Sequence, residues 1–241
     1  MATKSFTKSS YSNSFVICII AIVILLLTLL MQSCKTDNPA PETRLALLSV
    51  TNASPTLATY NFYLNQTKAN NSGALAFGGN IPYLQLNPGI FSAKLTIESN
   101  TESLITKNLT LENNKAYSLF VVDKGATLDY LFINDELKTP STDNALIRFI
   151  NLSPDAPAFD VVTKDGVTIA TDKAFKAASS FIEIPAKVYT FEIKDKATGA
   201  LKTDVKDFDI KKGKIYTIIS RGLLTPTETE RPLSGQITAI Q

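Results

Sequence analysis

The sequence of 241 residues contains no histidine, no tryptophan and only two cysteines. The absence of histidine excludes Ser-His-Asp catalysis, Cys-His catalysis and imidazole-based zinc sites. Cys18 lies inside an apolar run, so Cys34 is the only cysteine outside it and no internal disulfide is expected. Carboxylates, lysines and hydroxyls are the remaining reactive side chains. The composition therefore predicts neither a cofactor nor a bound metal ion.

The chain also lacks an excess of charge of either sign. Lysine and arginine total 24 against 22 aspartates and glutamates, and the surplus equals Lys4 and Lys8 near the N-terminus. Nucleic acid binding requires basic residues clustered on one face, where they neutralise phosphates. The balanced composition predicts no nucleic acid partner.

The one long hydrophobic run, Phe15–Met31, follows a polar segment that carries both of these lysines. A basic segment before an apolar segment is the layout of a secretory signal peptide. The run is followed by QSC, and the pentapeptide LMQSC resembles the lipobox of bacterial lipoproteins in the loose form common in Bacteroidetes. The resemblance implies a signal peptide over residues 1–33, an acylated Cys34 as the new N-terminus, and a flexible tether over residues 34–43.

A retained transmembrane helix is the alternative interpretation of the apolar run. Its 17 residues would reach about 25 Å as a helix, slightly less than the ~30 Å hydrocarbon core. Both interpretations attach the chain to a membrane. The lipobox favours the bacterial cell envelope, most simply the outer membrane, with membrane lipid as a partner through acylated Cys34.

The rest of the chain contains one sequence unit twice. The stretch that begins LALLSVTNASP at Leu45 matches the stretch that begins NALIRFINLSP at Asn144, at an offset of 99 residues. Two further pairs of blocks match in the same order at offsets of 98 and 99. Three matched blocks in one order indicate a tandem duplication. The predicted boundaries are residues 44–137 for the first repeat, 138–144 for a linker and 145–241 for the second repeat.

Both repeats are predicted to consist of β-strands. In VYTFEIK, Val188 to Lys194, large apolar residues alternate with polar ones, the period of a strand that buries one face. No helical periodicity follows the apolar run. About seven short strands per repeat, with turns every 8 to 12 residues, predict an all-β fold of two tandem antiparallel β-sandwiches of immunoglobulin-like size. A last strand is predicted over Gln236–Ile240.

The second repeat contains the segments FINLSPDAPAFDVV, then EIPAKVYTFEIKD, then IKKGKIYTIISRG. These segments closely resemble domain-of-unknown-function family 4397 (DUF4397), a family of bacterial envelope and secreted proteins that often occur in tandem. The first repeat departs from the family pattern, because Thr56–Ala58 stand where Asp155–Pro157 stand in the second. The resemblance implies the fold and an envelope location, and it implies no activity.

Two acidic residues near the SPDAP turn are candidate ligands. The sequence SPDAPAFD places Asp155 and Asp160 near a proline-braced turn, where carboxylate and carbonyl oxygens suit Ca²⁺. A simpler interpretation is that Asp155 closes the turn by a hydrogen bond to its own backbone.

The two repeats differ in the polar residues that they carry. Residues 44–125 contain eleven asparagines, whereas residues 145–222 contain one. Amide side chains donate and accept hydrogen bonds, which suits hydroxyl-rich polysaccharide. Tyr60, Tyr63 and Tyr83 are the candidate exposed rings on which a sugar would stack. Asparagines that simply occupy solvent-facing turns are the alternative.

The sequence thus favours a non-catalytic envelope lipoprotein that presents two β-sandwich modules for adhesion, scaffolding or ligand binding, with polysaccharide or an envelope protein as partner. Two alternatives remain open. Asp207 and Asp209 alternate with Phe208, and a strand would place both on one side, as in a carboxylate-only glycan hydrolase. Exposed edge strands would instead suit a structural subunit of an outer-membrane assembly.

Overall fold

The computed structural model describes residues 44–240. Contacts divide the chain into two units, residues 1–42 and Thr43–Gln241. The predicted signal peptide, Cys34 and the tether lie outside the described residues. Within residues 44–240, no helix has the length and apolar character needed to cross a membrane.

Sixteen strands and one 3₁₀ turn, Gly125–Thr127, make up the described part of the chain. The first eight strands are β1 Ala46–Asn52, β2 Tyr60–Leu64, β3 Thr67–Lys68, β4 Asn80–Leu86, β5 Gly89–Ile97, β6 Ser103–Leu111, β7 Ala116–Val122 and β8 Asp129–Asp135. The second eight are β9 Asn144–Asn151, β10 Phe159–Thr163, β11 Thr168–Lys173, β12 Ile182–Pro185, β13 Val188–Asp195, β14 Leu201–Asp209, β15 Ile215–Arg221 and β16 Ser234–Ala239.

Each set of eight strands forms a sandwich of two four-stranded sheets. The first sandwich has the sheet orders β4-β1-β7-β8 and β3-β2-β5-β6, and the second has β12-β9-β15-β16 and β11-β10-β13-β14. The two orders are the same when strands are numbered within each sandwich. Neighbouring strands are antiparallel except for β1 with β7 and β9 with β15, which are parallel. The predicted all-β sandwich fold is confirmed, with eight strands per sandwich in place of about seven.

An apolar core fills the space between the two sheets of each sandwich. In β13, Tyr189, Phe191 and Ile193 are buried while the intervening Thr190 and Glu192 are half-buried. Alternation of this kind buries one face of a sheet, at about 25 cal/mol per Å² of apolar surface. The alternation that the sequence shows is therefore the direct cause of the sandwich cores.

The two sandwiches also pack against each other, through the sheets that contain β7 and β15. Strand β7 is buried along its whole length, and every residue of β15 is buried except the last, Arg221. Continuous burial is typical of strands covered on both faces. The apolar cluster at this boundary combines residues of both sandwiches: Ala53, Phe120, Val122, Ile150, Leu152 and Ile219. The sheets therefore form four layers, with β3-β2-β5-β6 and β11-β10-β13-β14 outermost.

Candidate functional site

Buried polar side chains lie between the two facing sheets. Arg148 on β9 and Asp135 at the end of β8 are each 3% exposed, and Arg148 Nη2 pairs with Asp135 Oδ1. Asp135 Oδ2 accepts hydrogen bonds from the Tyr83 hydroxyl at 2.5 Å and the Ser118 hydroxyl at 2.8 Å. Arg148 Nε donates to Thr217 Oγ1 at 3.0 Å. Both charges are thus paired and hydrogen-bonded, which is the condition for tolerating them in the interior.

A groove opens beside this ion pair, between edge strand β8 of the first sandwich and the segment that precedes edge strand β12 of the second. Its volume is about 300 Å³. The Phe181 ring forms part of its wall, with the Arg148 guanidinium 4.6 Å from the ring centroid. The other polar side chains of the lining are Asn134, Glu136, Lys138, Ser179 and Ser180. We call this site the Phe181 groove; an aromatic wall with a few convergent polar groups is the usual composition of a ligand site.

A second cavity of about 380 Å³ lies at the opposite edge of the facing sheets, beside β4 and β16. Its polar lining is rich in hydroxyls, contributed by Ser49, Thr51, Tyr83, Ser118, Thr217 and Thr238. Burial raises the pKa of the Tyr83 phenol, and the nearby Asp135 carboxylate raises it further. The phenol therefore stays protonated and acts as a donor to Asp135.

Asp155 is engaged by the loop that follows β15. Its Oδ1 accepts a hydrogen bond from Leu224 N at 2.9 Å, and its Oδ2 accepts from Thr225 N at 3.0 Å and Thr225 Oγ1 at 3.1 Å. Burial raises the pKa of this carboxyl, but the hydrogen bonds that it accepts from Leu224, Thr225 and its own backbone outweigh burial, so the pKa lies below its ordinary value. Both oxygens thus hold a loop from elsewhere in the sequence. Within residues 44–240, no group of three or more acidic, histidine or cysteine side chains is placed to hold a metal ion.

Asp160 lies on β10 and has partners of its own. Its Oδ1 accepts a hydrogen bond from Asp172 N at 2.8 Å, and its Oδ2 lies 3.4 Å from Lys196 Nζ. Asp155 and Asp160 have no partner in common among these contacts. The structure therefore gives each of the two acids a separate structural role.

The three candidate tyrosines occupy three different environments. Tyr60 is 3% exposed and its hydroxyl lies 3.0 Å from Thr56 Oγ1, so it does not offer the exposed ring that was expected. Its ring faces the core because the alternation of β2 turns Tyr60 and Phe62 inward. Tyr83 is half-buried, and its hydroxyl donates a hydrogen bond to Asp135. Tyr63 alone lies on an outer face, with Lys94 Nζ 4.5 Å from its ring centroid.

Asn151, which matches Asn52 of the first repeat, links several segments of the second sandwich. Asn151 Oδ1 accepts hydrogen bonds from Ser153 N at 3.1 Å and Ser220 Oγ at 2.9 Å. Its Nδ2 donates to the carbonyls of Pro157 at 3.3 Å and Lys173 at 3.0 Å. The asparagine that both repeats carry at this position therefore has a structural role in holding the turn.

A second arginine at the sandwich boundary differs from Arg148. Arg221 Nε and Nη1 are buried and have no hydrogen-bond partner among the described residues. The guanidinium lies 4.0 Å from the Phe77 ring centroid, and a Cβ at Gly78 would stand 2.4 Å from Nη1. Burial lowers the pKa of Arg221, as does the nearby Arg231. Glycine at position 78 thus makes room for a cation that has no ion-pair partner among residues 44–240.

The two acids considered for hydrolysis are placed differently from each other. Strand β14 bulges opposite Thr190, and Asp207 adopts a positive φ of 49° there. Asp209 forms an ion pair with Lys211. The bulge interrupts the regular alternation on which a shared face for the two carboxylates depended.

A model of the family described as "Domain of unknown function (DUF4397)" matches residues 46–162. The match spans the whole first sandwich and continues through β9, the SPDAP turn and most of β10. It supports the resemblance to this family and rests mainly on the first repeat. Of the three blocks that carry the resemblance in the second repeat, the match contains only FINLSPDAPAFDVV. No curated protein matches the chain.

Solved structures share a limited likeness with the chain. They include the Bacillus anthracis TIE protein (15% identity, 75% of this chain and 34% of that chain, TM-score 0.24). They also include CBMbc, of family CBM26, from Eubacterium rectale Amy13K in complex with maltoheptaose (11% identity, 80% and 95% of the two chains, TM-score 0.24). The chain spans about a third of the Bacillus anthracis structure. TM-scores this low reflect little shared geometry, so the likenesses carry no argument for a shared ligand.

Proposed function

We propose that the protein is an envelope lipoprotein of the DUF4397 family that binds polysaccharide through the Phe181 groove. The observation that supports this function is the convergence of an aromatic ring, an amide, hydroxyls and both signs of charge in one groove built by both sandwiches. Such a site forms only when the two repeats are joined. The tandem arrangement is thereby part of the binding site.

The lining of the Phe181 groove suits a sugar ring chemically. Hydroxyl groups of a sugar both donate and accept hydrogen bonds, and Asn134, Ser179 and Ser180 do the same. Glu136 adds an acceptor and Lys138 a donor. The apolar face of a sugar ring is expected to pack on Phe181, whose position is fixed by its contact with Arg148.

Within the part of the chain that the structure describes, the groove has no pair of carboxylates of the kind that glycoside hydrolysis requires. Glu136 is the one carboxylate in its lining. The nearby Asp135 is buried and bound to Arg148, Tyr83 and Ser118, so it has no free proton-transfer role. Hydrolases use two carboxyl groups, about 5 to 9.5 Å apart, on either side of the scissile bond. The proposal is therefore one of binding without catalysis.

Replacement of the Phe181 ring tests the proposed function. On immobilised neutral polysaccharides we expect the protein to be retained by at least one of them, with affinity reduced about five-fold in Phe181→Leu, because an aromatic contact contributes about 1 kcal/mol. Leucine preserves most of the apolar volume, so folding is expected to persist. Glu98→Gln, far along the sequence and bonded to Thr59, serves as the control. Retention by no polysaccharide, or retention unchanged in Phe181→Leu, would contradict the proposal.

Attachment through Cys34 is the second part of the proposed function. We expect intact-mass analysis of detergent-extracted protein to find a chain that begins at acylated Cys34. The variant Cys34→Ser is expected to retain residues 1–33 and to lack the acyl mass. A native chain that begins at residue 1 without acyl groups would refute the lipoprotein assignment.

A further inference from the structure

A row of side chains crosses the outer face of the sheet β3-β2-β5-β6. Register places Lys68 opposite Tyr63, Tyr63 opposite Lys94, and Lys94 opposite Thr106. Directly paired residues in antiparallel strands project to the same face. The residues on either side of Tyr63 in β2 are buried in the core, so the row faces away from it. We call these four residues the Tyr63 row.

The two lysines of the Tyr63 row have no ion-pair partner among residues 44–240. Lys68 is exposed and Lys94 is half-buried, with its ammonium 4.5 Å from the Tyr63 ring centroid. The neighbouring positions on the same face are uncharged: Ser92 and Thr96 on β5, and Asn108 on β6. The row thus combines an aromatic ring with two uncompensated positive charges.

The second sandwich has a row at the same register positions with the opposite charge. Thr168, Val162, Glu192 and Asp204 stand where Lys68, Tyr63, Lys94 and Thr106 stand. Glu192 pairs with Lys194 and Asp204 with Lys206, so the acids there are neutralised. The aromatic ring and the free positive charges therefore belong to the first sandwich alone.

We propose that the Tyr63 row is a binding site for an acidic sugar residue, such as a uronate in an anionic polysaccharide. The carboxylate of the sugar contacts the Lys94 and Lys68 ammonium groups, and the sugar ring packs against Tyr63. The Lys94 ammonium lies over the Tyr63 ring, 4.5 Å from its centroid, so a carboxylate bound to it lies next to the aromatic surface. This site is separate from the Phe181 groove and takes a different class of glycan.

The small number of positive charges in the Tyr63 row favours an acidic sugar over other anionic partners. Docking to anionic lipid uses clusters of about four to eight basic residues, and the row has two. Nucleic acid binding needs a wider basic surface that neutralises many phosphates. A single anionic unit next to an aromatic ring matches the two lysines and one tyrosine.

The proposal is tested by replacing residues of the Tyr63 row with those at the same positions in the second sandwich. Lys94→Glu and Tyr63→Val introduce the residues that already occupy these positions in β13 and β10, so both variants are expected to fold. With polygalacturonate as the probe in affinity electrophoresis, we expect Lys94→Glu to weaken binding at least about ten-fold and Tyr63→Val about five-fold. Binding of the unmodified protein is expected to weaken as salt screens the lysines.

Matched controls separate this proposal from the function proposed for the groove. Lys164→Glu makes the same change in net charge at an exposed position outside the row and is expected to leave polygalacturonate binding unchanged. Phe181→Leu is also expected to leave it unchanged, whereas Lys94→Glu should leave neutral polysaccharide binding intact. The proposal is overturned by an absence of polygalacturonate binding, by equal binding in Lys94→Glu, or by loss in Phe181→Leu, which would assign the acidic ligand to the groove. Binding to phosphatidylglycerol vesicles without binding to polygalacturonate would overturn it as well.

Discussion

Replacing Arg148 with methionine is expected to lower the free energy of unfolding by about 3–5 kcal/mol. The substitution leaves the Asp135 carboxylate buried between the two sandwiches, with only the Tyr83 and Ser118 hydroxyls as partners. An uncompensated charge in the interior is strongly unfavourable, and methionine fills the volume without replacing the charge. The loss should be visible in urea unfolding followed by circular dichroism, since the chain has no tryptophan to report by fluorescence.

Arg221→Met is the matched control for this prediction. Arg221 is also partly buried at the boundary between the sandwiches, but its Nε and Nη1 have no hydrogen-bond partner within residues 44–240. Its removal leaves no acid unpaired, and the lost contact with Phe77 is worth about 0.5–2 kcal/mol against the cost of a buried cation. We therefore expect a change of at most about 1 kcal/mol. If the two substitutions lowered the free energy of unfolding equally, breaking the Arg148–Asp135 ion pair would cost no more than removing Arg221, and the prediction would be wrong.

A double substitution separates the ion pair from simple loss of packing. Asp135→Asn in the Arg148→Met background removes the stranded charge while keeping an acceptor for Tyr83 and Ser118. We expect the double variant to regain at least about half of the 3–5 kcal/mol lost in Arg148→Met, because the penalty comes from the unpaired carboxylate. A double variant that is less stable than Arg148→Met would contradict this explanation.

Replacing Asn151 with alanine is expected to cost about 4 kcal/mol of stability, at about 1 kcal/mol for each of its side-chain hydrogen bonds. The side chain is buried and makes four such bonds, which tie the end of β9 to the SPDAP turn, to β11 and to β15. Alanine leaves these four partners without the amide groups to which they are bonded. Thermal or urea unfolding of the purified variant measures the loss.

The equivalent asparagine of the first repeat provides the comparison. Asn52 makes two of these side-chain bonds, to Leu75 O at 3.0 Å and from Ser54 N at 3.0 Å. Asn52→Ala is therefore expected to cost about 2 kcal/mol, roughly half the effect at Asn151. A larger loss at Asn52 than at Asn151 would mean that these hydrogen bonds do not govern the stability of the turn.

Local patterns in the sequence predicted much of the fold. The alternation in Val188–Lys194 predicted a strand that is observed as β13 Val188–Asp195. The last strand was predicted over Gln236–Ile240 and is observed over Ser234–Ala239, because pairing with β15 extends it toward Ser234. Alternation reports which face of a strand is buried, so it succeeds wherever only one face is covered. Strand β7 is covered on both faces, and its uninterrupted burial depends on the neighbouring sandwich.

The candidate sites were harder to predict, because side-chain partners come from distant parts of the chain. Asp155 was expected to bond within its own turn, and Ser153 Oγ does lie 3.5 Å from its Oδ1, but its shorter hydrogen bonds come from Leu224 and Thr225. Tyr60 and Tyr63 are three residues apart, so alternation places them on opposite faces of β2, but which face meets the core depends on the sheet that packs against it. The Phe181 groove had no signal in the sequence, because its lining is drawn from β8, the segment after it, β9 and the segment before β12.

The sequence by itself determined the strand content, the repeated unit and the exclusion of histidine-based catalysis, because alternation, repetition and composition are properties of the chain alone. The tertiary structure alone decided that the two sandwiches share a boundary with the Arg148–Asp135 pair inside it, and that the Phe181 groove opens beside that pair. The physical reason is that burial of a charge, the partner of a carboxylate and the shape of a groove depend on which surfaces meet. Those surfaces come from residues far apart in the sequence.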